Sequence, residues 1–442
     1  GITPVEAMKR AMKSSLSTIV ACAATVAFGF AALCFMQFKI GSDMGLSLLK
    51  GTALSLLSVV VFLPALTIVA SPLLRKTKHR RFLPPFARAG KYILKARIPV
   101  IIIVVLVVVP CFLAVSHNDF LYGTSNAPAG TRADGDEQMI NAEFGTQNPV
   151  VVMVPRGDVA REKELGDALK DIPHVTNVMS YAETVGATVP PQYLDSTTVN
   201  QFYSDNYARM VLYTNAPSEG DETWSMVEQI RNTVNSYYDT SYTTGTSMNL
   251  YDMKNVTETD HNFVDLLSIV AIALVIAVIF RSLALPILLV GSIEVSININ
   301  MATPYFSGTT MMFIGYLIIS TVQLASAADY AILYTQHYLR RRREMPARQA
   351  AEEAHATAFQ PIITSAAILS LAGFALYIMS SLDMVKEMGL LLGRGTLISL
   401  VIVTCFLPAI MMVLDRPVQW LTYKARFYKA GRKAPRVGKA ES

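Results

Sequence analysis

Residues 98–115 read IPVIIIVVLVVVPCFLAV, an unbroken apolar run rich in β-branched residues and free of charge. A buried soluble strand is the only rival to a membrane helix, and strands are about 4–8 residues long. Length therefore decides for a membrane span, which needs ~20 apolar residues as a helix. Seven further runs meet that length or come close: 16–36, 44–70, 263–280, 284–305, 310–337, 360–379 and 388–414. The bulk composition agrees, with 52% hydrophobic and 16% charged residues, against about 25% charged in soluble domains. The expected fold is a polytopic α-helical membrane protein.

Lys and Arg near the helix ends set the orientation. Segment 71–97 holds nine, RRRRE at 340–344 supplies four and the tail 415–442 holds eight, whereas FKIGSD and SSLDMVKE hold one each. The basic group is expected in the cytoplasm, which puts 116–262 outside a plasma membrane, with 8 Lys+Arg against 21 Asp+Glu. The net charge of +5 thus belongs to membrane flanks and does not indicate nucleic acid. The linker 71–97 and the tail WLTYKARFYKAGRKAPR interleave aromatics with cations, as expected of segments lying on anionic inner-leaflet lipid. Cys22, Cys34, Cys111 and Cys405 all fall in apolar runs without a CxxC pair, which argues against a zinc site or disulfide framework.

Within 116–262 the order of elements reads strand (QNPVVVMVP), helix (REKELGDALKDI), two strands (VTNVMSYAE, YARMVLYTN), helix (ETWSMVEQIRNTVNSYY) and a final strand (TSMNLYDM). That β-α-β-β-α-β order predicts a ferredoxin-like α+β domain outside the membrane. Its acidic surface is read as a solvated face.

The helices repeat at a constant offset of 344. GFA at 29–31 matches 373–375, MGL at 44–46 matches 388–390, GT at 51–52 matches 395–396 and FLPA at 62–65 matches 406–409. Parallel repeats in a membrane protein point to two similar halves. The later copy follows an outer domain and three helices, so the earlier should too. The expectation is a C-terminal half covering helices five to twelve of a twelve-helix plan, whose N-terminal half would be the first partner. In domain terms this is 1–70 as an amphipathic start with two spans, 71–97 as linker, 98–115 as a span, 116–262 outside, 263–414 as a five-helix bundle and 415–442 as the tail.

The segment QLASAADYAILYTQHYLRRRRE (323–344), followed by GF…EMGLLLGRGT…FLPA, resembles the resistance-nodulation-division (RND) superfamily, and within it the mycobacterial-membrane-protein-large (MMPL) type. The resemblance implies proton-driven bacterial export of lipids or other hydrophobic molecules, with Asp329 and Tyr330 as the tenth-helix relay pair. A homo-oligomer or accessory subunits would be further partners. The fourth-helix partner pair would precede Gly1. Ala325 and Ala327 stand where relatives often carry Gly.

Read without the family, Asp329 is a functional candidate because an intramembrane carboxylate costs ~2.5–3.5 kcal/mol to insert. Tyr330 offers a hydroxyl, Ser326 shares its face and Gln323 lies about a third of a turn away. A static buried hydrogen bond is the alternative. Glu294, with Asn298 at i+4 and Gly291 at i−3, is either a relay or gating residue or a brace between helices. Asp43 and Lys50 match Glu387 and Arg394 in the repeat. They are read as snorkelling side chains, or alternatively as outer-boundary salt bridges. No nucleophile–base pair, phosphate loop, cofactor motif or metal spacing appears, so catalysis is not expected. The alternative to transport is a sterol-sensing-like or accessory membrane subunit.

Overall fold

The computed structural model describes residues 3–76, 87–123, 131–423 and 427–428, and within them not the side chains of residues 74, 75, 87–89 and 91. Two compact units emerge, Gly1–Phe120 with Asp260–Ser442, and Leu121–Thr259.

In chain order the first three long helices are α1 (Pro4–Leu33), α2 (Lys39–Val69) and α3 (Arg97–Val115). Next come β1 (Asn148–Pro155), α4 (Val159–Lys170), β2 (Val175–Met179), β3 (Tyr207–Thr214), α5 (Asp221–Tyr237) and β4 (Tyr242–Gly245). The chain then continues through α6 (Thr246–Phe280), α7 (Ala284–Met301), α8 (Phe313–Arg342), α9 (Ala347–Met379) and α10 (Asp383–Val413). Among the described residues eight helices are long and apolar enough to cross a membrane, which fits hydrocarbon's demand that every backbone amide be satisfied within its own segment.

The basic start and the first span form one helix. Pro4 opens α1, where its missing N–H costs nothing, and the Thr3 hydroxyl accepts from the Glu6 N–H. Both α2 and α10 contain a π-helical turn, at Ser58–Phe62 and Ile402–Phe406, again 344 residues apart. Each ends two residues before the proline of FLPA, Pro64 or Pro408. Proline cannot donate to the residue four back and its ring crowds that carbonyl, which an i→i+5 turn just before it relieves; Pro110 and Pro361 stand inside α-helices without such a turn.

Within the membrane unit α8 is the most enclosed span, 72% of its apolar window being buried, while none of the α2 window is. Small residues make that possible: Ala325, Ala327, Ala328 and Ala331 on α8 are all nearly solvent-free. The α9/α10 crossing is closer still, with Gly373, Gly389 and Gly393 presenting bare backbone to one another. Small residues at helix crossings are how membrane helices gain van der Waals contact without a hydrophobic driving force. Part of the basic linker is packed into protein. In the Ala87–Lys95 helix, Leu94 is buried and Gly90 sits against the His355 ring. Residues 77–86 of that linker, and residues 424–426 and 429–442 of the tail, lie outside the described residues.

Arg342, near the end of α8, is 8% exposed and grips Asp415 through two bonds, Nε to Oδ1 at 3.0 Å and Nη2 to Oδ2 at 2.9 Å. Tyr338 donates to the same carboxylate at 2.7 Å. One of the four arginines counted as a flanking charge is therefore a buried structural residue.

In the second unit the four strands are antiparallel in the order β2-β3-β1-β4. Val150, Val152 and Val154 are fully buried, the period of two expected for one sheet face. Leu165 and Leu169 of α4 and Met226, Ile230 and Val234 of α5 share one core with them. The expected last strand is misplaced: TSMNLYDM forms the first turns of α6, and the strand is Tyr242–Gly245. Gly245 ends it with φ +153°, where a Cβ would meet the Pro149 carbonyl oxygen at 2.7 Å. Ser247, Met248 and Tyr251 then turn inward at helical spacing.

Candidate functional site

Asp329 stands in the middle of α8, and its Oδ1 is buried without a hydrogen-bond partner among the described residues. The side chain closes the floor of a groove of about 580 Å3 between α1 and α2, whose walls include Cys22, Val26, Phe30, Gly51 and Ser55. The Cys22 thiol sits against the carboxyl. Tyr330 turns about 100° further round the helix and its hydroxyl meets Ser365 of α9. Ser326 donates to the Gln323 carbonyl at 3.2 Å, satisfying itself along its own helix. The expected pair is thus adjacent in chain but engages two different neighbouring helices.

Gln323 belongs to a different arrangement, a buried amide network joining α7, α8 and α10. Asn300 Nδ2 donates to Gln323 Oε1 at 2.8 Å and to the Leu391 carbonyl at 3.0 Å. Gln323 Nε2 donates to Ser399 Oγ at 3.1 Å and to the Gly395 carbonyl at 3.3 Å. Arg394 completes it, donating from Nε to Asn300 Oδ1 at 2.8 Å and from Nη2 to the Asn300 carbonyl at 3.0 Å. Glu387 accepts the Met312 N–H at the start of α8, at 3.0 and 3.1 Å. Asp43 and Lys50 are exposed. Among the described residues no ion pair within 4.0 Å joins Asp43 to Lys50 or Glu387 to Arg394. Seven residues along a helix span about 10.5 Å, too far for a direct bond, so each of the later pair finds a backbone or amide partner instead.

Glu294 lies on α7 beside a second groove, of about 490 Å3, walled by Val108, Val109, Phe112 and Leu113 of α3 and floored by Gly291 and Asn298. Its Oε1 is buried and unpartnered among the described residues. Asn298 donates to the Glu294 backbone carbonyl at 2.9 Å rather than to the carboxylate.

Sequence reading passed over Cys22, which looked like packing, and Asp265, at the edge of its apolar run. The stripe His261–Asp265–Ser268, at i, i+4 and i+7 of one helix, was the available signal.

Residues 1–100 and 126–438 match the MMPL family. Over 162 residues the chain is 26% identical to the membrane protein ActII-3 of Streptomyces coelicolor, a stretch covering 35% of this chain and 22% of that protein. The chain thus aligns with about a fifth of the length of the curated relative it matches. With eight helices among the described residues long and apolar enough to span, a separate α+β unit and a family match over most of its residues, the chain belongs to the MMPL family of RND-type multi-pass membrane proteins.

Proposed function

We propose that this chain works in proton-driven export of a hydrophobic or lipid-like molecule, with Asp329 carrying the coupling proton. The observation that carries the reading is the Asp329 carboxyl, buried on one oxygen without a partner among the described residues and set in a groove whose other lining side chains are uncharged. A carboxylate locked in a static role would be hydrogen-bonded, because leaving a buried polar atom unpaired costs about 1–3 kcal/mol. A group that alternately binds and releases a proton cannot be saturated in both states. The largely apolar walls of both grooves suit an acyl or other hydrocarbon chain. We also read residues 116–262 as the extracytoplasmic domain, ferredoxin-like by its strand order, from the excess of Lys and Arg on the other side.

Asp329→Asn keeps shape and hydrogen-bonding capacity but cannot ionise. Purified protein carrying it should lose a pH-dependent carboxyl C=O band in difference infrared spectra, and the transporter should lose export while remaining in the membrane. Unchanged spectra, or export by Asp329→Asn at the parental rate with its usual dependence on the proton gradient, would refute the assignment.

A further inference from the structure

A second group of ionisable side chains lies away from Asp329, on the side of the membrane unit where α8 begins. His261 and Asp265 sit one turn apart on α6. The His261 ring packs against Tyr316 of α8 with centroids 4.8 Å apart and planes tilted by 57°. Asp265 interacts electrostatically with His261, with Glu294 of α7 and with Tyr316. Three helices thus converge four titratable groups on one place.

Two atoms there lack partners among the described residues. One is Oε1 of Glu294; the other is Oγ of Ser268, which is wholly buried one turn beyond Asp265 on the same face of α6. Glu294 alone of the four also lines the apolar groove beside α3. Beyond His261, the neighbouring described residues supply no free counter-charge. The α3 residues lining the groove are uncharged. On α10, Glu387 accepts the Met312 N–H and Arg394 is held by Asn300. Asp260, next to His261, accepts the Phe38 N–H at 2.9 Å. Among the described residues no group of His, Cys, Asp and Glu side chains is arranged to hold a metal ion. Two carboxyls and one imidazole share a low-dielectric site, so His261 can balance at most one carboxylate and a proton is the neutralising charge the geometry leaves for the other.

We infer that His261, Asp265, Glu294 and Tyr316 form a second proton-binding site of this protein, a short relay with Glu294 as its innermost acceptor. A proton taken from water by His261 or Asp265 passes to Glu294. At each transfer one N–H or O–H bond breaks as the acceptor's O–H forms, and the donor reloads from water. Tyr316 orients the relay through its contact with the His261 ring. The site is separate from Asp329 and does not rest on the export reading.

Dicyclohexylcarbodiimide, an apolar reagent that adds to protonated carboxyls, tests this on the unsubstituted protein in lipid nanodiscs, with modified residues located by peptide mass spectrometry. Glu294 should be modified, at a rate that falls along one titration curve as pH rises. Asp265→Asn should move the midpoint of that curve by at least about threefold in proton concentration, and Asp329→Asn should leave it in place. Failure of Glu294 to react at any pH at which the protein stays folded would overturn the site. A midpoint indifferent to both Asp265→Asn and His261→Gln would overturn the relay. Protection of Glu294 by a long-chain alkylamine, with no pH dependence in its absence, would make the groove an ammonium site and overturn the proton reading.

Discussion

Gly29 and Gly373 hold matching positions in the 344-residue repeat, yet a methyl group added to each should have opposite consequences. At Gly373 a Cβ would lie 2.6 Å from the Gly393 nitrogen, 2.7 Å from the Gly389 carbonyl oxygen and 2.9 Å from Gly393 Cα. All three are backbone atoms, so none can rotate away. Restoring ordinary contact at about 3.5 Å requires α9 and α10 to part by nearly 1 Å. At Gly29 the nearest atoms are the tip of Ile272 at 3.3 Å and the Ala325 Cβ at 3.7 Å, and the first can yield by a small rotation. Overpacking a tight contact costs about 1–3 kcal/mol, and replacing Gly by Ala in a helix returns up to about 1 kcal/mol. Gly373→Ala should therefore be destabilised by about 1–2 kcal/mol net, and Gly29→Ala should be neutral or slightly stabilised. The apparent unfolding temperature of the purified chain, followed with a thiol-reactive dye in one detergent at one scan rate, measures this. Gly373→Ala should unfold several degrees earlier and Gly29→Ala at or above the parent. Equal midpoints, or the reverse order, would refute the argument that the α9/α10 crossing is a backbone contact.

Two further outcomes follow from buried charges. Asp415→Ala strands the Arg342 guanidinium, 8% exposed, and should cost about 3–5 kcal/mol, whereas Arg342→Met combined with Asp415→Leu should recover much of it in the same thermal assay; a loss below about 1 kcal/mol for the single change would show the pair to be dispensable. In the second unit, burial pushes the Glu162 carboxyl up from its ordinary value, against the opposing effect of the Tyr203 hydroxyl that donates to it at 2.7 Å. A raised native value means that the folded state holds the proton more tightly. Glu162 therefore contributes its full stability below the unfolded-state value of about 4.3, and that contribution is lost as pH rises through the native one. In a Trp420→Phe background Trp224 reports on this unit alone, and Glu162→Gln should flatten the decline in its unfolding midpoint with rising pH; an unchanged slope would rule the residue out as its source.

The membrane class, the number of spans and the repeat were all legible because each depends on local or periodic properties of the chain. Apolar length reports transfer into lipid residue by residue, and the FLPA segments with Pro64 and Pro408 repeat at the same register as the π-helical turns before them. The alternation in QNPVVVMVP likewise revealed a half-buried strand. TSMNLYDM misled because alternation over so few residues also fits a helix whose inner face takes Ser247, Met248 and Tyr251.

The candidate site divides along the same line. Asp329 and Glu294 announced themselves by being charged inside apolar runs, which any one helix reveals. That Tyr330 meets Ser365 while Asp329 meets Cys22, that Gln323 and Arg394 both bind Asn300, and that Asp265 joins Glu294 required the packing of separate helices. A sequence specifies how costly each buried polar group is. Which partner relieves that cost depends on rotation and register between helices, and those are set by the sum of many small contacts spread across the bundle.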